Sequence, residues 1–151
     1  MKVFFKSLAT AVVILLAGSC MIMDWTPVKL RIYVENQAGE DLLDPDSEIN
    51  MLEGVTMTYR GETYELVPEP ETKYYLPHFD GLQLMLDEDG RHYLYFGELD
   101  GAEEYNDDFT LAWGDGTSDV IHYKRNIFMT AVSEKWKLNG AKSDMPMTIV
   151  K

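Results

Sequence analysis

Carboxylates are the residues in this chain whose number and spacing first suggest chemistry. Asp41, Asp44, Asp46 and Glu48 fall within eight residues, Asp87 and Asp89 precede Gly90, and Asp100, Glu103, Glu104, Asp107 and Asp108 form a third cluster. Oxygen ligands close together are what calcium needs, but the Asp87–Gly90 fragment lacks the later ligands and terminal glutamate of an EF-hand loop. The Asp100–Asp108 loop is the best candidate for a calcium site, because five carboxylates there repel one another unless screened or bridged. The competing reading is that all three clusters are solvated turns of an acidic protein. No other cofactor is suggested.

Tyrosine offers a second chemistry. Tyr93 and Tyr95 share one face of an alternating run, with His92, Leu94 and Phe96 on the other. On an open face the two rings could stack on sugars while nearby carboxylates bond the hydroxyls. Packing inside the fold is the alternative, since tyrosines are ordinary cross-strand pair residues. Catalysis has little to stand on. His78, His92 and His122 lack HExxH or other ligand spacing. Ser118, Asp119 and His122 are neighbours in sequence, which does not make a relay. No nucleophile elbow or phosphate-cradling loop is present. Acids are too abundant for a glycosidase pair to be picked out. The chain reads as non-enzymatic.

Attachment is clearer than activity. Lys2 and Lys6 precede an uncharged run from Ser7, which ends in Leu15-Leu16-Ala17-Gly18-Ser19 ahead of Cys20, the single cysteine. A positive start, a short apolar middle and small residues at a cleavage point describe an export signal. The run is 13 residues long to Ser19, short of the roughly 20 that a spanning helix needs. This segment resembles the signal of a bacterial lipoprotein, closer to the looser Bacteroidetes type, with Ala17 where the stricter pattern has leucine. The resemblance implies that residues 1–19 are removed, that Cys20 carries the lipid (palmitate-type acylation), and that the protein is moored in the cell envelope at the outer membrane. With Cys20 acylated no thiol remains for a disulfide.

The organisation follows: signal 1–19, lipidated tether 20–27, and one domain over 28–151. The chain carries a formal charge of −13, and since Lys2 and Lys6 leave with the signal, the remainder stands at −15. Such a surface repels phosphates and anionic headgroups, which excludes nucleic acid as a partner and leaves lipid as the means of membrane attachment. The seven tether residues from Met21 to Pro27 reach at most about 25 Å, so the domain stays near the bilayer. Met21, Ile22, Met23 and Trp25 either touch the interface or begin the core.

Alternation of period two predicts the elements that position everything else. Strands are expected at 28–35, 55–59, 63–67, 73–76, 82–86, 91–96, 109–113, 120–125, 128–132, 135–138 and 147–150. Residues 46–53 have room for one helical turn. Turn signals at Asp87–Gly90, Gly114–Thr117 and Asn139-Gly140 tolerate positive φ. The expected fold is all-β, an antiparallel two-sheet sandwich with almost no helix. Trp113-Gly114-Asp115-Gly116-Thr117 resembles the turn of PKD-type immunoglobulin-like modules, which implies an immunoglobulin-like sandwich. The core should hold Leu84, Phe96, Phe109, Trp113, Ile121 and Trp136, with His122 outward. The functional expectation is a lipid-anchored envelope protein that binds a partner protein or serves an assembly. A surface glycan-binding lipoprotein is the alternative, and a calcium-stabilised adhesion module the third.

Overall fold

The computed structural model describes residues 26–67, 81–129 and 131–151. The expected signal, Cys20 and the expected tether as far as Trp25 lie outside them, as do Tyr74, Tyr75, His78 and the strand expected at 73–76. Ten strands are present: β1 (Val28–Glu35), β2 (Thr56–Tyr59), β3 (Glu62–Val67), β4 (Leu82–Leu86), β5 (His92–Leu99), β6 (Tyr105–Ala112), β7 (Ser118–Phe128), β8 (Ala131–Leu138), β9 (Ala141–Ser143) and β10 (Met147–Val150). The described residues contain no helix; 46–53 forms turns only.

The all-β expectation holds, but the strands form one sheet where two were expected. Its order is β10-β1-β5-β4-β3-β2-β6-β7-β8-β9. β3 joins the halves: it pairs antiparallel with β2 and parallel with β4. The β1–β10 pair is also parallel, so the sheet is mixed. It rolls up nearly into a barrel, bringing distant strands face to face. Phe96 on β5 meets Tyr59 on β2 and Phe109 on β6, each edge-on at 6.0 Å. Tyr59 and Phe109 stack at 4.5 Å. The core runs through both halves, with Leu30, Ile32, Leu94, Leu111 and Ile121 fully buried. Burying one face of each strand is the main stabilising term, at about 25 cal/mol per Å² of apolar surface.

Two strand assignments differ for identifiable reasons. The expected breaks at 126–127 and 133–134 do not exist. β7 runs to Phe128, the chain turns at Met129, and β8 continues unbroken from Ala131 to Leu138. Met129 makes the turn at φ 54°, a left-handed conformation usually marked by Gly or Asn. With no such residue there, the turn reads as a strand. The Asp100–Asp108 stretch is not one loop either. β6 begins at Tyr105, and its polar start Asn106-Asp107-Asp108 continues the alternation of Phe109 and Leu111. The short β9 had no signal of its own.

Strand directions give the molecule two ends. Val28 opens β1 opposite Leu99, the last residue of β5. The 100–104 turn leads into Tyr105, which faces Arg125, and β7 runs on from there to Phe128. The entry of β1, the 100–104 turn and the β7–β8 tip therefore share one end. The Asp87–Arg91, Gly114–Thr117 and Asn139-Gly140 turns lie at the other.

Candidate functional site

The five acids of the third cluster are divided among separate partners. The Asp100 carboxylate accepts the Ala102 N–H at 2.8 Å and closes its own turn, while the Asp100 carbonyl accepts the Tyr105 hydroxyl at 3.0 Å. Glu104 accepts the Ile127 N–H at 2.9 Å, tying the turn to the β7–β8 hairpin. Asp107 points inward beside Tyr105 and Phe109. It receives Arg60 Nη2 at 2.8 Å and Nε at 3.0 Å, and the Tyr59 hydroxyl at 3.2 Å. Glu103 sits 3.7 Å from the same guanidinium. Asp108 points the opposite way, to His122 Nδ1 at 2.7 Å. Strand alternation makes Asp107 and Asp108 diverge. Among the described residues no three metal-ligating side chains converge.

Arg60 is the centre of this region. It occupies the β2–β3 turn at φ 49°, and its guanidinium lies 5.1 Å from the Tyr59 ring and 5.4 Å from the Tyr105 ring. Cation–π attraction and a forked ion pair act on one side chain. Burial and the nearby Glu103 charge push the Tyr105 phenol up to about 12. These acids close the end of the barrel.

Tyr93 and Tyr95 flank Leu94 on the outward side of β5, but Tyr93 is only 7% exposed. Tyr33 packs on it at 5.6 Å and the Arg31 guanidinium lies 5.5 Å from its ring. Tyr95 is half-buried, and its burial raises the phenol pKa. The pair does not present two coplanar open rings. His92 is held by Asp41, through its backbone N–H at 2.9 Å and its ring at 3.3 Å.

Ser118, Asp119 and His122 do not form a relay. His122 is half-exposed on the outer face, as its alternation predicts, and Asp119 is turned away from it. The Asp119 carboxylate accepts Trp113 Nε1 at 2.7 Å, Asn139 Nδ2 at 2.8 Å and Lys151 Nζ at 2.6 Å. Burial would raise its pKa, yet the three donors outweigh that and hold it below the ordinary carboxylate range. Lys151 also lies 4.8 Å from the Trp113 ring. The hub joins the β6–β7 turn, the β8–β9 turn and the residue after β10. It is a structural knot.

One constellation was missed in the sequence. On β7 and β8 the inward positions include Ile121, Tyr123, Arg125, Glu134 and Trp136. There Tyr123 stacks on Trp136 at 3.8 Å, and Glu134 binds both Arg125 at 3.0 Å and the Tyr123 hydroxyl at 2.7 Å. The outward positions carry lysine. Lys124 stands directly opposite Lys135, and Lys137 directly opposite Lys142, with His122 beside Lys137. All four lysines are exposed, and among the described residues none has a carboxylate within ion-pair distance. A hollow of about 370 Å³ along β8 and β9 is bordered by Lys135, Lys137 and Lys142, and also by the acids Glu134 and Asp144 and by Trp136. The signal was available in composition. Residues 120–143 hold five lysines and arginines against one carboxylate, Glu134, in a chain of charge −13. Comparison with protein-family models, with curated proteins and with solved structures finds no match to this chain.

Proposed function

We propose that this chain is a lipid-anchored protein of the cell envelope, at the outer membrane, with a non-enzymatic role in binding or assembly. The anchor reading rests on the signal-like segment ending at Cys20. One structural observation supports it. The end at which β1 begins, and from which a tether would run, also carries the β7–β8 tip, where Phe128 and Met129 are 73% and 80% exposed. An apolar tip beside the tether suits a lipid interface, where aromatic and apolar side chains are favoured. The sheet faces would then stand away from the bilayer and remain open to partners. In this arrangement Cys20→Ala removes the acyl group and moves the protein to the soluble fraction. Persistent membrane association of that variant would defeat the reading.

A surface glycan-binding role is the second reading, supported by the outward lysines of β7–β9. The tyrosine platform does not contribute, with Tyr93 covered by Tyr33 and Arg31. The calcium-stabilised adhesion module would require Asp107 and Asp108 to leave Arg60 and His122. For an immunoglobulin-like sandwich the Trp113–Thr117 turn remains the support: Gly116 N–H bonds the Trp113 carbonyl at 3.0 Å and Asp115 accepts the Thr117 hydroxyl at 2.7 Å.

A further inference from the structure

We infer that the outer face of β7–β9 is a binding site for a linear acidic polysaccharide, held through Lys124, Lys135, Lys137 and Lys142. The inference deepens the glycan-binding reading and does not depend on the anchor. Two adjacent like-charge pairs face each other across the strands, Lys124 with Lys135 and Lys137 with Lys142. Directly opposed like charges destabilise a sheet. The chain has an abundance of acids, with 26 Asp and Glu, yet among the described residues none lies within ion-pair distance of the four lysines, and Asp108, the acid on the same outward face, is taken up by His122 at 2.7 Å. Elsewhere carboxylates and cations meet closely, as Arg60 does with Asp107 and Lys151 with Asp119. An arrangement that is unfavourable in the free protein becomes favourable once an anion bridges it.

Strand geometry sets the backbone positions of the four lysines about 5 Å apart across the strands and about 7 Å apart along them. That pattern suits anionic groups repeated along a flexible chain. Lysine, a compact charge on a mobile stem, suits carboxylates and sulfates presented in variable orientation. The outward neighbours Asn106, Thr110, Asn126 and Ser133 offer hydrogen bonds to hydroxyls, with Asp108 between Asn106 and Thr110 held by His122. Attraction is local, because the rest of the molecule is acidic, so binding must weaken steeply with salt.

The test uses the full-length lipidated protein in zwitterionic nanodiscs, titrated with a uronate oligomer, a sulfated oligomer, neutral dextran of equal length and duplex DNA. The acidic oligomers should bind, with affinity falling as salt rises, and dextran should not. The tighter of the two acidic arms identifies the anionic group. Lys124→Gln with Lys137→Gln should weaken binding about tenfold without lowering Tm, while Lys29→Gln, on β1, leaves affinity unchanged. Acidic oligomers binding no better than dextran would overturn the inference. So would a double variant that binds like the parent, or DNA binding more tightly than either oligomer. If mass spectrometry finds Cys20 without lipid, the anchor reading fails alone, and the same titrations on the soluble protein decide this one.

Discussion

The rim of acids around Arg60 and the lysine face of β7–β9 are both dense in one sign of charge, yet they are built oppositely. At the rim, Asp107 takes a forked guanidinium and a phenol, Glu104 takes a backbone N–H, and Asp108 takes a histidine. On the lysine face, like charges oppose each other across two adjacent rungs, and among the described residues no carboxylate lies within ion-pair distance of them. The first arrangement is satisfied within the fold; the second is satisfied only by something outside it. Charge density alone therefore does not mark a site. What distinguishes a site is charge that the fold leaves uncompensated although counter-charges are plentiful.

That contrast can be broken most directly at the most deeply held carboxylate. Asp119→Ala strands Lys151, Trp113 Nε1 and Asn139, and should cost about 3 kcal/mol in urea unfolding. Its pH behaviour has a defined sign. The folded-state pKa of Asp119 is depressed, so its contribution is complete above the unfolded value of about 3.9 and is lost as pH falls through the folded value. Asp119→Asn should flatten the acid limb of the stability profile below that point. An unchanged limb would assign acid sensitivity to other carboxylates.

Arg60→Ala comes next. It removes the fork on Asp107 and the cover over Tyr59 and Tyr105, and the expected loss is about 1–2 kcal/mol by the same unfolding curves, reduced because the guanidinium is half-exposed. The lysine face should respond in the other direction. Lys137→Gln relieves a like-charge pair and should stabilise by about 0.5 kcal/mol, read as a small rise in Tm that shrinks with added salt. A loss of stability there would mean that the lysines are structural, and the comparison would collapse. The smallest effect is expected from calcium. Adding it or chelating it should shift Tm by less than about 1 °C, since a specific site raises stability by mass action. A shift of several degrees would restore the rim as a cation site.

Local pattern carried most of the secondary structure. The strict alternation of Val28-Lys29-Leu30-Arg31-Ile32-Tyr33-Val34-Glu35 defines β1 to the residue, and the turns at 87–90, 114–117 and 139–140 form where their residue types allow positive φ. The failures are equally local. Met129 adopts a left-handed turn without the residue type that would announce it, so one long hairpin reads as fragments. Asp107 looks like a loop acid because the arginine that lets it sit in a strand lies 47 residues away.

The amino-acid sequence by itself determined which residues face inward, where the chain reverses, how acidic the molecule is and that a thiol follows an export-like segment. These depend on neighbours along the chain and on composition. Only the tertiary structure decided that the strands join into one rolled sheet through β3, and which acid meets which cation. It also decided that four lysines spread over nineteen residues stand on two facing rungs. Register is the reason. A shift of one residue between two strands turns every side chain to the other face, and the pairings that set it are made between segments the chain brings together only on folding.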